Sequence, residues 1–372
     1  LEYLIEYGMF LAKAATIVIA IALVIGIVAA ASQRQRRSAE DKGHIKVSKL
    51  NEHLEKLQEA VQKAVLDKDA FKQLQKQKKL EHKQQRKMKK AQVVKTADAS
   101  PASNTSADTG ESQDTASPAP AKRVYVLNFK GDIAANAVSN LREEVTAVLS
   151  MAQPQDEVIL RLESPGGMVH AYGLASSQLA RIKDRRIALT ICVDKVAASG
   201  GYMMACLADR LVAAPFAVIG SIGVLVQMPN FHRLLKKNEI DFETITAGEF
   251  KTTLTTFGEI TQKGRDKVKG DVEDMHDLFK RWVKTHRPSV DIDRISTGET
   301  WVGLQAKDRY MVDELRTSDE VIVSACDNAE VFEVEFEQRQ SLQNKMSNAL
   351  RGSTAQLVDE LSERINNYRF FS

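Results

Sequence analysis

Val158-Ile159-Leu160-Arg161-Leu162-Glu163-Ser164-Pro165-Gly166-Gly167 decides the fold. Its aliphatic, β-branched first half predicts a strand over 158–162, and its second half is turn chemistry. Proline fixes the entry to the turn, and two glycines let backbone N–H groups point inward with no Cβ in the way. Downstream, residues 173–182 have a helical apolar period and Ile187 to Val193 reads as another strand. Upstream, Val124 to Phe129 reads as a strand and Val138 to Leu149 as a helix with Leu141, Val145 and Val148 on one face. Such alternation predicts a mainly parallel, layered α/β fold. Chemistry is then expected in the loops that follow the strands.

Two of those loops carry suitable residues. Backbone N–H groups in Ser164–Gly167 can stabilise an oxyanion, although a plain tight turn has the same composition. The second loop, Lys195-Val196-Ala197-Ala198-Ser199-Gly200-Gly201-Tyr202, follows the strand ending at Val193. A serine at a helix start is ordinarily an N-cap. Here small residues on both sides leave Ser199 open to a bulky substrate, and the Gly200 N–H lies at the positive end of a helix. A serine nucleophile needs a base. His232, His276 and His286 sit on helical segments with no loop signature. Lys251 follows Thr246-Ala247-Gly248 at the end of a strand-like stretch, Phe242 to Ile245, and is the better candidate. A lysine serves as a base only when neutral, a form that burial and fixed dipoles favour.

These residues resemble the S49 serine peptidases, the signal peptide peptidase A family, within the ClpP/crotonase superfamily. The resemblance covers Arg123 to about Phe336. It rests on the Ser-Pro-Gly-Gly loop, the Ala-Ser-Gly-Gly-Tyr turn, Gly220-Ser221-Ile222-Gly223-Val224, the Ala-Gly-x-x-Lys segment, and Thr297-Gly298 with Trp301, Gly303, Gln305 and Ala306 leading to Val312-Asp313. With the N-terminal features below, the single copy of this domain is similar to the single-repeat bacterial members. The resemblance implies a ClpP/crotonase-like α/β fold with Ser199 as nucleophile and Lys251 as general base. It also implies that Ser221 orients the lysine and that the N–H groups of Gly167 and Gly200 hold the oxyanion. Glu249-Phe250-Lys251-Thr252 departs from the family's more usual Lys-Tyr-Lys-Ser and leaves the base in place. Ring- or dome-shaped homo-oligomers, with serine and lysine from neighbouring subunits, are a further implication.

The rest of the 372-residue chain predicts appendages. Met9 to Ala31 is apolar except for Lys13, and as a helix it would be roughly 35 Å long, enough to span a bilayer. A cleaved signal peptide is the competing reading, but Glu2 and Glu6 are wrong for its leading region. Residues 33–95 hold 19 Lys and Arg against 8 Asp and Glu, a balance of +11 that leaves −8 for the remainder of a chain of net charge +3. Leu50, Leu54, Leu57, Val61 and Val65 form an amphipathic stripe, and a dense basic run follows over Lys76 to Lys90. No aromatics interleave there, so anionic lipid is expected as partner rather than nucleic acid. Thr96 to Ala121 has no large apolar residue and reads as a tether. The expected organisation is an anchor at 1–31, a basic helical arm at 32–95, a disordered linker at 96–121, the peptidase domain at 122–336 and a helical tail at 337–372. Cys192, Cys206 and Cys326 show no metal or disulfide spacing, and neither cofactor nor metal is expected.

The function expected is that of an inner-membrane, single-pass serine endopeptidase acting on membrane-associated or short hydrophobic peptides, signal-peptide remnants among them. Arg34, Arg36 and Arg37 place the domain in the cytoplasm by the positive-inside rule, whereas the family resemblance points to the periplasm; the charges are followed here. The alternatives are a crotonase-type acyl-CoA enzyme and a catalytically inactive membrane scaffold. Neither needs Ser199 or Lys251.

Overall fold

The computed structural model describes residues 43–77, 80 and 122–337. The chain divides into two compact units. The larger is Val47–Val334, and of the smaller, residues 43–46 and 335–337 are described. In the smaller unit Lys46 Nζ donates to Glu337 Oε1 at 2.6 Å. The expected anchor, the tether and all of the expected tail beyond Glu337 lie outside the described residues. Among the described residues no helix is long and apolar enough to cross a membrane.

The main sheet has seven strands: β1 (His44–Lys49), β2 (Arg123–Lys130), β3 (Glu157–Glu163), β4 (Ala188–Val193), β6 (Arg210–Ala213), β9 (Glu314–Leu315) and β10 (Glu330–Glu337). Their order is β1-β10-β2-β3-β4-β6-β9, and every pairing from β10 to β9 is parallel. The strands expected over 124–129, 158–162 and 187–193 and the helices expected over 138–149 and 173–182 are present: 187–193 begins one residue later, 138–149 is unchanged, and the others are each longer by a residue or more. A parallel sheet is buried on both faces, which explains the near-continuous apolar runs. On one face Val124, Val126, Ile159, Cys192, Val212 and Val331 pack with Val321 and Ile322 of α9 (Ser318–Asn328). By strand alternation Leu127, Phe129, Leu160 and Leu162 face the other way. That side is covered by α2 (Val138–Leu149) and α3 (Val169–Asp184), with Phe129 and Tyr172 of α3 edge-to-face at 6.4 Å. The three cysteines are free thiols, and burial pushes those of Cys192 and Cys206 up to about 12.

A second sheet is formed by β5 (Val196–Ala198), β7 (Val218–Gly220) and β8 (Thr300–Val302), with β5 and β7 parallel and β7 and β8 antiparallel. It is stitched to the end of β3: Ser164 N donates to Val196 O at 2.8 Å, and Ala198 N donates to Ser164 O at 3.0 Å. Leu211 to Ala213 and Val218 to Gly220 thus lie in the two sheets. Phe242 to Ile245 is not a strand. Both edges of β7 are taken by β5 and β8, and Ile245 is 91% exposed, so β-branched sequence alone finds no partner there.

The expected arm is not separate from the sheet. After β1, α1 (Leu50–Val65) carries the amphipathic stripe, but Leu50 packs against the α9 cluster and Asn51 is a latch. Its amide donates to Cys326 O at 3.1 Å and Ala329 O at 3.0 Å, and accepts from Val331 N at 2.8 Å. Further on, Gln75 Nε2 meets Glu59 Oε1 at 3.2 Å, so residues 68–77, also helical, fold back on α1.

Candidate active site

Ser199 leaves β5 and precedes α4 (Gly200–Ala205). Its backbone sits at φ 52°, ψ −119°, a conformation that costs a non-glycine residue about 1–3 kcal/mol. The strain is imposed from both sides: Ser199 N donates to Gly220 O at 2.7 Å, and Ser199 O accepts from Met203 N at 3.0 Å. Although Ser199 occupies the N-cap position, its side chain makes no capping bond. The hydroxyl is partly exposed and held out of the role that such a serine ordinarily has.

Two further features fix this turn. Buried Tyr202 donates to Met311 O at 3.0 Å, and Trp282 Nε1 donates to Met203 O at 3.0 Å. Trp282 belongs to α6 (Gln262–His286), whose N-terminus is capped by Thr261 Oγ1 accepting from Gly264 N at 3.1 Å.

The Ser-Pro-Gly-Gly loop lies directly against Ser199. A Cβ on Gly166, where φ is +89°, would come within 2.7 Å of both Gly200 N and Ser199 Cβ. No other residue type allows that approach. Gly200 opens α4, so its N–H has no partner within the helix. Among the described residues neither it nor the Gly167 N–H has an acceptor. Both expected oxyanion donors therefore lie in the two loops that meet at Ser199.

Ser221 is placed beside Ser199. Ala198 of β5 is paired with Gly220 of β7, so the two serines leave adjacent strands at matching positions. Ser221 is also at positive φ, 53°, and its N–H donates to Glu299 O at 2.6 Å. Lys195 is near in sequence, but it is exposed and paired with Glu163 at 3.1 Å.

Lys251 makes no hydrogen bond to Ser199 or Ser221 among the described residues. It is exposed, in the long segment between β7 and α6, which holds one short helix, α5 (His232–Lys237). Its N–H donates to Gly248 O at 3.2 Å, and its side chain makes no hydrogen bond or ion pair among the described residues. Its neighbours are seated on the first turns of α6. Glu249 pairs with Lys263, and the Phe250 ring lies 5.6 Å from Lys263 Nζ and 5.9 Å from Lys267 Nζ. Thr253 O sits 2.4 Å from where a Gly264 Cβ would be. One helix thus supports the lysine segment at Gly264 and the nucleophile helix at Trp282, two points about 27 Å apart along its axis.

Sequence reasoning missed Tyr172 and Ser164 as supports of this site. The helix expected from residue 173 begins at Val169, which brings Tyr172 into its first turn. The apolar spacing Tyr172, Ala175, Leu179, Ile182 marks that face, but it does not reveal what the tyrosine hydroxyl does.

Similarity to known proteins places the chain in one family. The family models for Peptidase family S49 N-terminal and Peptidase family S49 match residues 2–179 and 181–332. The chain belongs to peptidase family S49. A protein of Haemophilus influenzae named "Probable protease SohB" is 52% identical over 241 residues, 65% of this chain and 68% of that protein. A Buchnera aphidicola (subsp. Baizongia pistaciae) protein with the same SohB protease name is 40% identical over 342 residues, 92% and 93% of the two chains. "Protease 4" of Haemophilus influenzae is 26% identical over 170 residues, 45% of this chain and 28% of that one. The family match extends upstream of Arg123, where the resemblance seen in the sequence began. By this membership the chain is a protease, and serine-type chemistry is consistent with the family.

Proposed function

We propose that the chain is a membrane-anchored serine endopeptidase whose dyad of Ser199 and Lys251 is shared between neighbouring subunits of a homo-oligomer. The observation that carries the reading is the Ser199 turn: a strained nucleophile position, an uncapped hydroxyl, and two N–H groups without acceptors in the loops around it. Sharing is supported by the separate seats of the two halves on α6.

In this mechanism Ser199 Oγ attacks the scissile carbonyl while neutral Lys251 Nζ takes its proton. The oxyanion is received by Gly167 and Gly200 N–H, donors fixed before the charge develops. Lys251 returns the proton to the leaving amine, and an acyl ester remains on Ser199. Lys251 then activates the water that releases it, and the Ser221 hydroxyl, beside Ser199, orients the amine. Substrates are membrane-associated or short hydrophobic peptides. The exposed Ile133, Met168 and Val169 around the glycine loop suit apolar side chains. The chain sits in the inner membrane by one N-terminal span, with anionic lipid against its basic arm and the domain on the cytoplasmic side; a periplasmic domain is the other result that a protease-accessibility assay can return.

A fluorophosphonate probe followed by peptide mapping tests the nucleophile, and modification at Ser199 is expected. Mixed Ser199→Ala and Lys251→Ala subunits test sharing. Activity partly returns if each site draws on two chains and stays at zero if it does not, given that sizing shows mixed assemblies.

A further inference from the structure

We propose that Ser164 and Tyr172 are positioning residues of the oxyanion hole, acting through a one-way chain of hydrogen bonds under the glycine loop. This rests on the reading of Ser199 as nucleophile. Gly166 N donates to Ser164 Oγ at 3.1 Å, Ser164 Oγ and Tyr172 Oη are 2.6 Å apart, and Tyr172 Oη donates to Asp132 O at 2.8 Å. The middle bond fits either direction by itself. Its neighbours choose: the tyrosine proton is committed to Asp132 O, so the serine proton must go to Tyr172 Oη. The order is Gly166 N–H to Ser164, Ser164 to Tyr172, Tyr172 to the Asp132 carbonyl, an arrangement in which each bond polarises the next.

The chain joins the parts that aim the two donors. At one end it holds Gly166, whose backbone abuts Ser199 and Gly200. At the other it holds Asp132, next to Ile133, whose carbonyl accepts from Met168 N at 2.8 Å and lies 2.1 Å from where a Gly167 Cβ would be. The segment carrying the Gly167 N–H is thus clamped before and after that donor. The Tyr172 ring itself sits under Gly200, its Cγ 2.4 Å from where a Cβ would be, so the same side chain also supports the second donor. Both hydroxyl-bearing residues are fully buried, so water does not substitute for a lost partner.

Tyr172→Phe keeps the ring and removes only the hydroxyl; Ser164→Ala removes the other link. In each, kcat is expected to fall about 10- to 100-fold with KM within about twofold, since displaced donors lose the transition state rather than the ground state. The rate of fluorophosphonate labelling at Ser199 falls alongside, while labelling still runs to completion. The double variant is no worse than the poorer single one. Incomplete labelling at the wild-type rate would mean a misfolded fraction and would overturn the proposal, as would wild-type kcat and labelling rates in both single variants. If Tyr172→Phe does not fold, Ser164→Ala decides alone by the same two readouts. A wild-type chain that the probe misses at Ser199 overturns the nucleophile assignment and this proposal with it. A wild type labelled there beside equally fast variants overturns the positioning role only.

Discussion

The turn at Ser199 and the segment around Lys251, the two halves of the proposed dyad, are built in opposite ways. Around Ser199 the backbone is strained, the flanking glycines are packed to contact, and buried Tyr172 and Tyr202 with half-buried Trp282 hold it in place. Around Lys251 the chain is exposed, its nearest ion pair is on the surface, and the strand-like sequence before it forms no strand, with a ring contact of Phe242 to Phe257 at 5.6 Å. Strain of about 1–3 kcal/mol survives only where surrounding structure over-determines it. The first region is therefore finished within a single chain. The second is exposed and loosely seated, which is the difference that the proposed sharing of the dyad would need.

Removing the reacting groups themselves has the largest expected effect. Ser199→Ala should lower peptidase activity by at least about 10³-fold while the melting temperature changes little, because the hydroxyl makes no bond that the fold uses. Residual turnover above a trace would mean that a different nucleophile works here. Lys251→Arg should be as damaging as Lys251→Ala, although it keeps the charge, since a guanidinium stays protonated and cannot accept the serine proton. Full activity in the arginine variant would remove the dyad and return the histidines to consideration.

The two regions also differ in how much the sequence reveals. The α/β alternation and the glycine loop were legible because sterics act locally: a Pro-Gly-Gly after an aliphatic run has few conformations. Ser199 stands out in the sequence because the residues beside it are small, although Ala197, Ala198, Gly200 and Gly201 are themselves buried. Ser221 entered only through the family resemblance, because its place beside Ser199 depends on β5 and β7, strands of three residues without a periodic signal. Phe242 to Ile245 misleads because β propensity describes a side chain's fit to a sheet and says nothing of a free edge. Asn51 looked like one polar residue on a charged helix, and only the open backbone groups at the end of α9 and start of β10 give its amide three partners.

The scaffold common to both regions supplies a middle-sized test. At its C-terminal end α6 is followed by Arg287, which grips Asp313 through two bonds of 2.6 and 2.9 Å, while Leu211 N donates to the same carboxylate at 2.7 Å. Burial raises the Asp313 pKa, but the Arg287 bonds and the Leu211 N–H outweigh it and hold it below the usual 3.8. A depressed folded value means that the stabilisation is complete above the unfolded value and is lost as pH falls through the folded one. Asp313→Asn should therefore cost about 1–2 kcal/mol in urea unfolding at pH 7, with the gap to wild type narrowing below about pH 4. A gap that is constant from pH 7 to pH 3 would show that charge at Asp313 does not hold this end of α6.

The smallest effect is expected at the other end of that helix. Glu249 and Lys263 pair with side chains 61% and 68% exposed, a setting in which an ion pair contributes little. Glu249→Gln should leave the free chain's stability within about 0.5 kcal/mol of wild type. Its effect on activity should be larger than that but still under about tenfold. Phe250 between Lys263 and Lys267, and Thr253 against Gly264, keep most of the seat when the pair is gone. What remains is electrostatic and exposed, so the difference from wild type should shrink between low and high salt as the charges are screened. Both measurements use the full chain: urea unfolding for stability, and kcat/KM at two ionic strengths for the site. A large loss of stability in Glu249→Gln would show that the lysine segment is as tightly built as the Ser199 turn. The contrast between a finished half and a waiting half would then fail at its weaker side.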